Sequence, residues 1–153
     1  NYGPRQYAEK LIPKTIILAK QNKEISIYGN GTNIRDWIHV NDHCSGVLTA
    51  FLKGKPGESY NISTNNEINN ITIVKKILEL MNKSEDLIEF VEDRPGHDLR
   101  YSMSSEKISK ELGWKSKVNF EKGIQDTIKW YLDHEDYWKD TPSSIFNPTP
   151  WKN

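Results

Sequence analysis

The 153 residues amount to one domain's worth of chain, long enough to bury a real core. The 21 basic and 21 acidic residues cancel, and no basic run breaks the balance, which removes the electrostatic case for nucleic acid or an anionic membrane as partner. Cys44 is the only cysteine and no apolar run approaches the ~18–20 residues of a membrane span, so neither an intramolecular disulfide nor a transmembrane helix is expected, and the cytosol is the default compartment.

The chain opens on Asn1-Tyr2-Gly3-Pro4, which reads as the start of a piece excised from something longer. Leu11, Ile12, Ile16, Ile17 and Ala19 then recur at helical spacing, with Pro13 tolerable in a first turn. Ile25 to Tyr28 predicts a short strand, and Gly29-Asn30-Gly31 a turn that uses glycine's access to positive φ. Ile34 to Val40 alternates, with Ile34, Ile38 and Val40 on one face and Arg35, Trp37 and His39 on the other. Asn41 or Asp42 is expected to cap a helix carrying Val47, Leu48, Phe51 and Leu52, closed off by Gly57. Ser59 to Ile62 is a strand candidate. Thr72 is placed as the cap of a helix with an apolar stripe of Ile73, Val74, Ile77, Leu78 and Met81. A strand at Leu87 to Val91 follows, then a short helix from Ser104 or Ser105 that ends at Gly113. Asn119 caps the last long helix, which is expected to bury Ile124, Ile128, Tyr131 and Leu132. Residues 141–153, with Pro142, Pro148 and Pro150, predict an irregular tail. Alternating helices and strands indicate an α/β fold, with strands too few and too short for an independent doubly wound sheet.

Several chemistries lack their residues. None of the nine glycines forms a G-x-G-x-x-G turn, no tyrosine has a lysine four positions on, and neither a G-x-S-x-G elbow nor H-E-x-x-H occurs. His39, Asp42, His43 and Cys44 have the chemistry of metal ligands, but three of them are consecutive at a helix start and fan to different sides, so no metal is expected. The same geometry argues against a Cys-His nucleophile pair.

What is present is an ordered series of segments: Asn1-Tyr2-Gly3-Pro4, Glu9-Lys10-Leu11-Ile12-Pro13, Ile27-Tyr28-Gly29-Asn30-Gly31, Ile34-Arg35-Asp36-Trp37-Ile38-His39-Val40-Asn41-Asp42-His43, Tyr60-Asn61-Ile62, Asp93-Arg94-Pro95-Gly96-His97-Asp98 with Tyr101, and Lys107 through Trp114. This series resembles the second half of the dTDP-glucose 4,6-dehydratases, which are extended short-chain dehydrogenases/reductases, and the resemblance runs from residue 1 to about Trp138. It implies a small mixed α/β substrate-binding lobe with the amino-terminal Rossmann lobe largely missing. That absent lobe would hold NAD and the catalytic Thr/Asp/Glu and Tyr/Lys groups, so chain 1–153 alone is expected to bind no NAD and to be inactive. In such enzymes hydride leaves C4, water is lost from C5 and C6, and hydride returns at C6. Residues 1–140 would be the sugar-nucleotide-binding portion, with 41–63 packing on the Rossmann lobe. Without that lobe their apolar faces would need cover, for instance from a second copy in a homo-oligomer.

The matching residues suit a nucleoside-diphosphate sugar. Arg35 and Arg94 are the expected pyrophosphate ligands, since a guanidinium fork pairs bidentately with phosphate oxygens. Lys10 and Leu11 match a substrate-contacting pair, with Leu11 equally suited to a core. Ser26, Ile27 and Tyr28 match the segment lining the base pocket, where Tyr28 also fits plain strand packing. Ser26 stands where the family commonly has proline, which leaves base specificity open. Asn70 matches a substrate-contacting asparagine, with Asn66 and Asn69 as neighbouring registers. Asp93, Pro95 and Gly96 form a turn around Arg94, and His97 either contacts phosphate or caps that turn. Tyr101 either orients polar neighbours or sits in the core, and Asn1 matches a position near the nicotinamide. Three alternatives remain: UDP-glucose as substrate, an epimerase or decarboxylase fragment, and a non-catalytic sugar-nucleotide-binding module.

Overall fold

The computed structural model describes residues 1–152. Its centre is helix α1 (Leu11–Lys20), whose sequence is apolar nearly all round and which buries seven of its ten residues. A helix of that kind needs neighbours on several sides. Helix α3 (Asn70–Leu80) supplies Ile73, Val74, Ile77 and Leu78, and helix α5 (Phe120–Asp133) supplies Ile124, Ile128 and Tyr131. One cluster joins Ile12, Ile16, Ile17, Ile73, Ile77 and Ile124, and a second joins Leu18, Ala19, Val74 and Leu78 to Ile25 and Ile27. Each such side chain contributes about 1.5–3 kcal/mol by leaving water.

Two small sheets flank these helices. Strand β1 (Ile25–Tyr28) pairs in parallel with β4 (Ile88–Val91), Ile25 opposite Ile88 and Tyr28 opposite Val91. Strand β2 (Ile34–Asp36) lies between β3 (Glu67–Asn69), which is antiparallel to it, and β5 (Arg100–Tyr101), which is parallel. Arg100 donates from Nε and Nη2 to both carboxylate oxygens of Glu67 at 2.6 and 2.8 Å, so one bidentate pair spans the sheet from edge to edge. This is the mixed α/β architecture that the sequence indicates.

The alternating segment from Ile34 is a strand only as far as Asp36. Beyond it the backbone has other partners: Trp37 N–H donates to Asn66 at 3.2 Å, and Tyr2 bridges Ile38 and Val40 at 2.9 and 2.8 Å. His39 is therefore buried rather than presented on an outer face. It is also the cap of helix α2 (Val40–Lys53), its Nδ1 accepting the Asn41 amide at 3.3 Å, in place of the expected Asn41 or Asp42. Asp42 is instead buried, accepting the amides of Lys117 at 3.1 Å and Val118 at 2.9 Å.

Residues 59–62 are not a strand. Tyr60 and Ile62 pack by their side chains against a third cluster of Ile38, Ile108, Leu112 and Trp114. Asn69, not Thr72, caps α3, because its Oδ1 receives the Thr72 amide at 2.9 Å. Helix α4 (Glu106–Leu112) ends as expected at Gly113, which takes the left-handed conformation at φ 73°. Asn119 caps α5 as expected, but Leu132 on that helix is exposed. The tail forms short 3-10 turns, the last two at Ser143–Phe146 and Pro150–Lys152. Among the described residues no helix is long and apolar enough to cross a membrane.

Candidate functional site

One cavity of about 450 Å³ opens between the start of α1, strands β1, β2 and β5, the loop after β4, and the tail. Each wall brings a different chemistry. At the head of α1, Lys10 is the N-cap residue and makes no side-chain cap, so the first amides of the helix and its positive end border the cavity. Lys14 lies one turn along on the same face. Burial lowers the Lys14 pKa, partly opposed by Glu9.

Strand β2 places Arg35 directly opposite Tyr101 of β5, and the guanidinium carbon sits 4.6 Å from that ring's centroid. Arg35 also donates to the carbonyls of Ile34 at 2.6 Å and Asp98 at 2.8 Å, which fixes its plane before any ligand arrives. Arg94 approaches from the loop after β4. Its amide is held by Asp93 Oδ1 at 2.8 Å, while among the described residues its guanidinium makes no hydrogen bond or ion pair. His97 donates from Nδ1 to the same Asp93 oxygen at 2.6 Å, and its side chain is only 6% exposed. Asp93 thus ties the loop across the turn at Gly96 (φ 67°) and leaves Nε2 as the free ring nitrogen of His97.

Strand β1 supplies Ser26, Ile27 and Tyr28. Burial is the main cause raising the Tyr28 pKa, with Arg94 acting against it and Glu9 and Asp93 with it, so the phenol remains a neutral hydroxyl at neutral pH. Around the cavity four cationic side chains, Lys10, Lys14, Arg35 and Arg94, face one carboxylate, Glu9. In a chain with no net charge, this concentrates positive potential at one place. The arrangement can hold a di-anion at one end and a flat, partly apolar group against Tyr28 at the other.

Of the thirteen candidate substrate residues, ten line this cavity: Lys10, Leu11, Ser26, Ile27, Tyr28, Arg35, Asn70, Arg94, His97 and Tyr101. Asp93, Pro95 and Gly96 do not line it; they shape the loop behind Arg94 and His97. Asn1 lies elsewhere, in a separate cavity with Tyr2, Arg5 and Asn41. Four lining residues escaped the sequence reading: Glu9, Lys14, Pro150 and Trp151. Lys14 carried a usable signal, since it stands four positions after Lys10 in a helical segment. The tail pair carried none beyond an aromatic residue after a proline.

A dinucleotide cofactor finds no matching cradle in these residues. Such a site sets pyrophosphate against an open helix start behind a glycine-rich turn. Here the three helices that follow strands, α2, α3 and α4, are entered without glycine, and α2 and α3 are capped by His39 and Asn69.

A family model described as GDP-mannose 4,6 dehydratase matches residues 1–127. The chain belongs to this dehydratase family. Among family relatives, the dTDP-glucose 4,6-dehydratase of Haemophilus influenzae is 46% identical over an alignment 143 residues long, which covers 86% of this chain and 42% of that protein. The dTDP-glucose 4,6-dehydratase of Bacillus anthracis, solved in complex with NAD, has a TM-score of 0.87 at 46% identity over 91% of this chain and 44% of its own. DesIV of Streptomyces venezuelae, a dTDP-glucose 4,6-dehydratase solved with NAD and TYD bound, has a TM-score of 0.89 at 37% identity, covering 91% and 43%. The chain therefore spans about two-fifths of the length of such dehydratases, 42–44% in these three.

Proposed function

We propose that this chain is the sugar-nucleotide-binding part of a nucleoside-diphosphate-glucose 4,6-dehydratase, and that the whole protein converts dTDP-glucose to dTDP-4-keto-6-deoxyglucose with NAD. One observation carries the reading: Arg35 and Arg94, distant along the chain, border the same cavity as Lys10, Tyr28 and Asn70. Arg35 is pre-set to meet a phosphate, Arg94 is free to close on it, and the α1 N-terminus adds amides and a favourable dipole. Tyr28 offers the base a face, and Asn70 offers the sugar an amide. No hydride or proton step is assigned to these residues, and chain 1–153 alone is expected to be inactive.

The remaining lobe is expected to cover helix α2. That helix buries only Asp42 and Gly46 and leaves Leu48 57% and Phe51 83% exposed, an apolar face that suits a packed neighbour. Residues 41–63 are thus proposed to pack on a dinucleotide-binding lobe.

Calorimetric titration with dTDP, UDP and ADP tests the reading. dTDP should bind more tightly than ADP, and chain 1–153 supplied with NAD and dTDP-glucose should form no 4-keto sugar. Binding of dTDP no tighter than inorganic pyrophosphate, or product from this chain alone, overturns it. A second reading, with UDP-glucose as substrate, is favoured by Ser26 at the base end of the cavity in place of the family's usual proline. The two bases differ by one methyl group, which a pocket discriminates by only ~1–3 kcal/mol, so the dTDP and UDP titrations decide between them.

A further inference from the structure

Pro150 and Trp151 border the cavity from the far end of the chain, beyond the residues that the family model matches. The segment that brings them there is anchored at three points and braced within itself by a fourth contact. Phe146 packs against both central clusters, and Lys14 donates from Nζ to the Asn147 carbonyl at 3.3 Å. Asn147 Oδ1 accepts the Thr149 amide at 3.1 Å, and Lys152 forms an ion pair with Glu92, just past β4. So held, the Trp151 indole stands edge-on to Tyr28, ring centroids 4.8 Å apart at 82°. Among the described residues its Nε1 is cut off from solvent and has no acceptor. An indole N–H can only donate, and a buried donor without an acceptor is unfavourable. A ligand carbonyl resolves this once the indole turns its N–H into the cavity that the ring borders.

We propose that Trp151 is a base-recognising residue: its ring closes the base end of the site against Tyr28, and its N–H donates to a carbonyl oxygen of a pyrimidine base. The proposal rests on the sugar-nucleotide reading above. The base end rather than the phosphate end is indicated because Trp151 meets Tyr28, whereas the phosphate-suited Arg35 stacks on Tyr101 of β5. A pyrimidine dione offers two carbonyl oxygens, and an adenine offers none, so the contact also selects among nucleotides.

The test uses the intact protein, Trp151→Phe and Trp151→Ala, titrated with dTDP and with inorganic pyrophosphate. Trp151→Phe keeps an aromatic edge against Tyr28 and removes only the N–H, and it should weaken dTDP about three- to tenfold. Trp151→Ala should weaken dTDP further, and pyrophosphate affinity should change in neither variant. Unchanged dTDP binding in both variants overturns the proposal, as does an equal loss for dTDP and pyrophosphate. If the unsubstituted protein binds neither dTDP nor UDP, the sugar-nucleotide reading itself fails and takes this proposal with it.

Discussion

The two arginines of the cavity should respond differently to removal, because only one of them is built into the fold. Arg35 donates to two backbone carbonyls, at 2.6 and 2.8 Å, and covers the Tyr101 ring at 4.6 Å. Arg94 is exposed and, among the described residues, gives its guanidinium no partner. Each guanidinium is expected to contribute a charge-assisted contact to a bound diphosphate, about 1.5–3 kcal/mol, so either alanine variant should weaken dTDP roughly ten- to hundredfold. Stability separates them. Arg94→Ala removes a solvated side chain and should change stability by less than about 0.5 kcal/mol. Arg35→Ala also releases the Asp98 carbonyl and the Tyr101 ring. After discounting for partial exposure, that loss is about 2 kcal/mol, or roughly 4–8 °C in Tm for a chain of this size. Titration of dTDP paired with thermal melts by circular dichroism reads both quantities on one sample. Equal melting temperatures for the two variants, or wild-type dTDP affinity in Arg94→Ala, refutes the reasoning.

Three further outcomes follow from the packing. A methyl group added at Gly123 would run into the hydroxyl of Tyr2, which is 1% exposed and has no room to move. Gly123→Ala should thus lose about 1–2 kcal/mol by urea denaturation despite alanine's better helix propensity, and Tyr2→Phe should recover most of it. At alkaline pH, Tyr2, Tyr28 and Tyr131 have pKa values raised mainly by burial, so unfolded tyrosines lose their protons first and stability falls as pH rises beyond about 10. Lys14, lowered by burial, works in the opposite sense, but Lys76, Lys107 and Lys129, raised by their carboxylate partners, act with the tyrosines and the sign holds; a urea midpoint that holds steady to about pH 11 contradicts it. On α2, Phe51→Lys in chain 1–153 should leave the urea midpoint within ~0.5 kcal/mol of wild type, since that ring is 83% exposed; a larger loss means that the face is already covered.

What the sequence reveals and hides divides along local and non-local lines. Helices α1, α3 and α5 are legible because their apolar residues repeat at 3.6, and β1 because it ends in a glycine turn. Strands β3 and β5 are not, being three and two residues long and defined only by β2 between them. Two caps fall elsewhere than expected, one for a distant reason and one for a local one. Asp42 has the side chain of an N-cap, but amides some 75 residues away claim its carboxylate, and His39 fills the vacancy. Thr72 yields to Asn69, three positions earlier and equally able to cap. The site's arginines became candidates through the wording of whole segments, since no periodicity marks either one. Lys14 and Trp151 were missed because their relevance depends on where α1 and the tail end in space.

The same division explains how a chain without net charge gathers cations at one cavity. Its charges are not segregated along the sequence; the fold sorts them. Glu67 is drawn off by Arg100, Glu92 by Lys152 and Glu121 by Lys76, while Lys10, Lys14, Arg35 and Arg94 converge on one cavity where, among the described lining residues, Glu9 is the one carboxylate. Two of those cations are already committed, Arg35 to carbonyls and a ring and Lys14 to the Asn147 carbonyl, so a ligand meets them in place and little side-chain entropy is lost there. Arg94 and the exposed Lys10 are the ones that must be ordered. Lys14 has a second role: by holding Asn147 it links the cation-lined wall to the segment that carries Trp151. A dTDP molecule that engages both ends should therefore hold the tail in place, whereas pyrophosphate, which meets only the cationic end, should leave it as it is. Proteolysis at the tail ought then to be slowest with dTDP and as fast with pyrophosphate as without ligand; equal rates with dTDP and pyrophosphate would show that no ligand contact reaches Trp151.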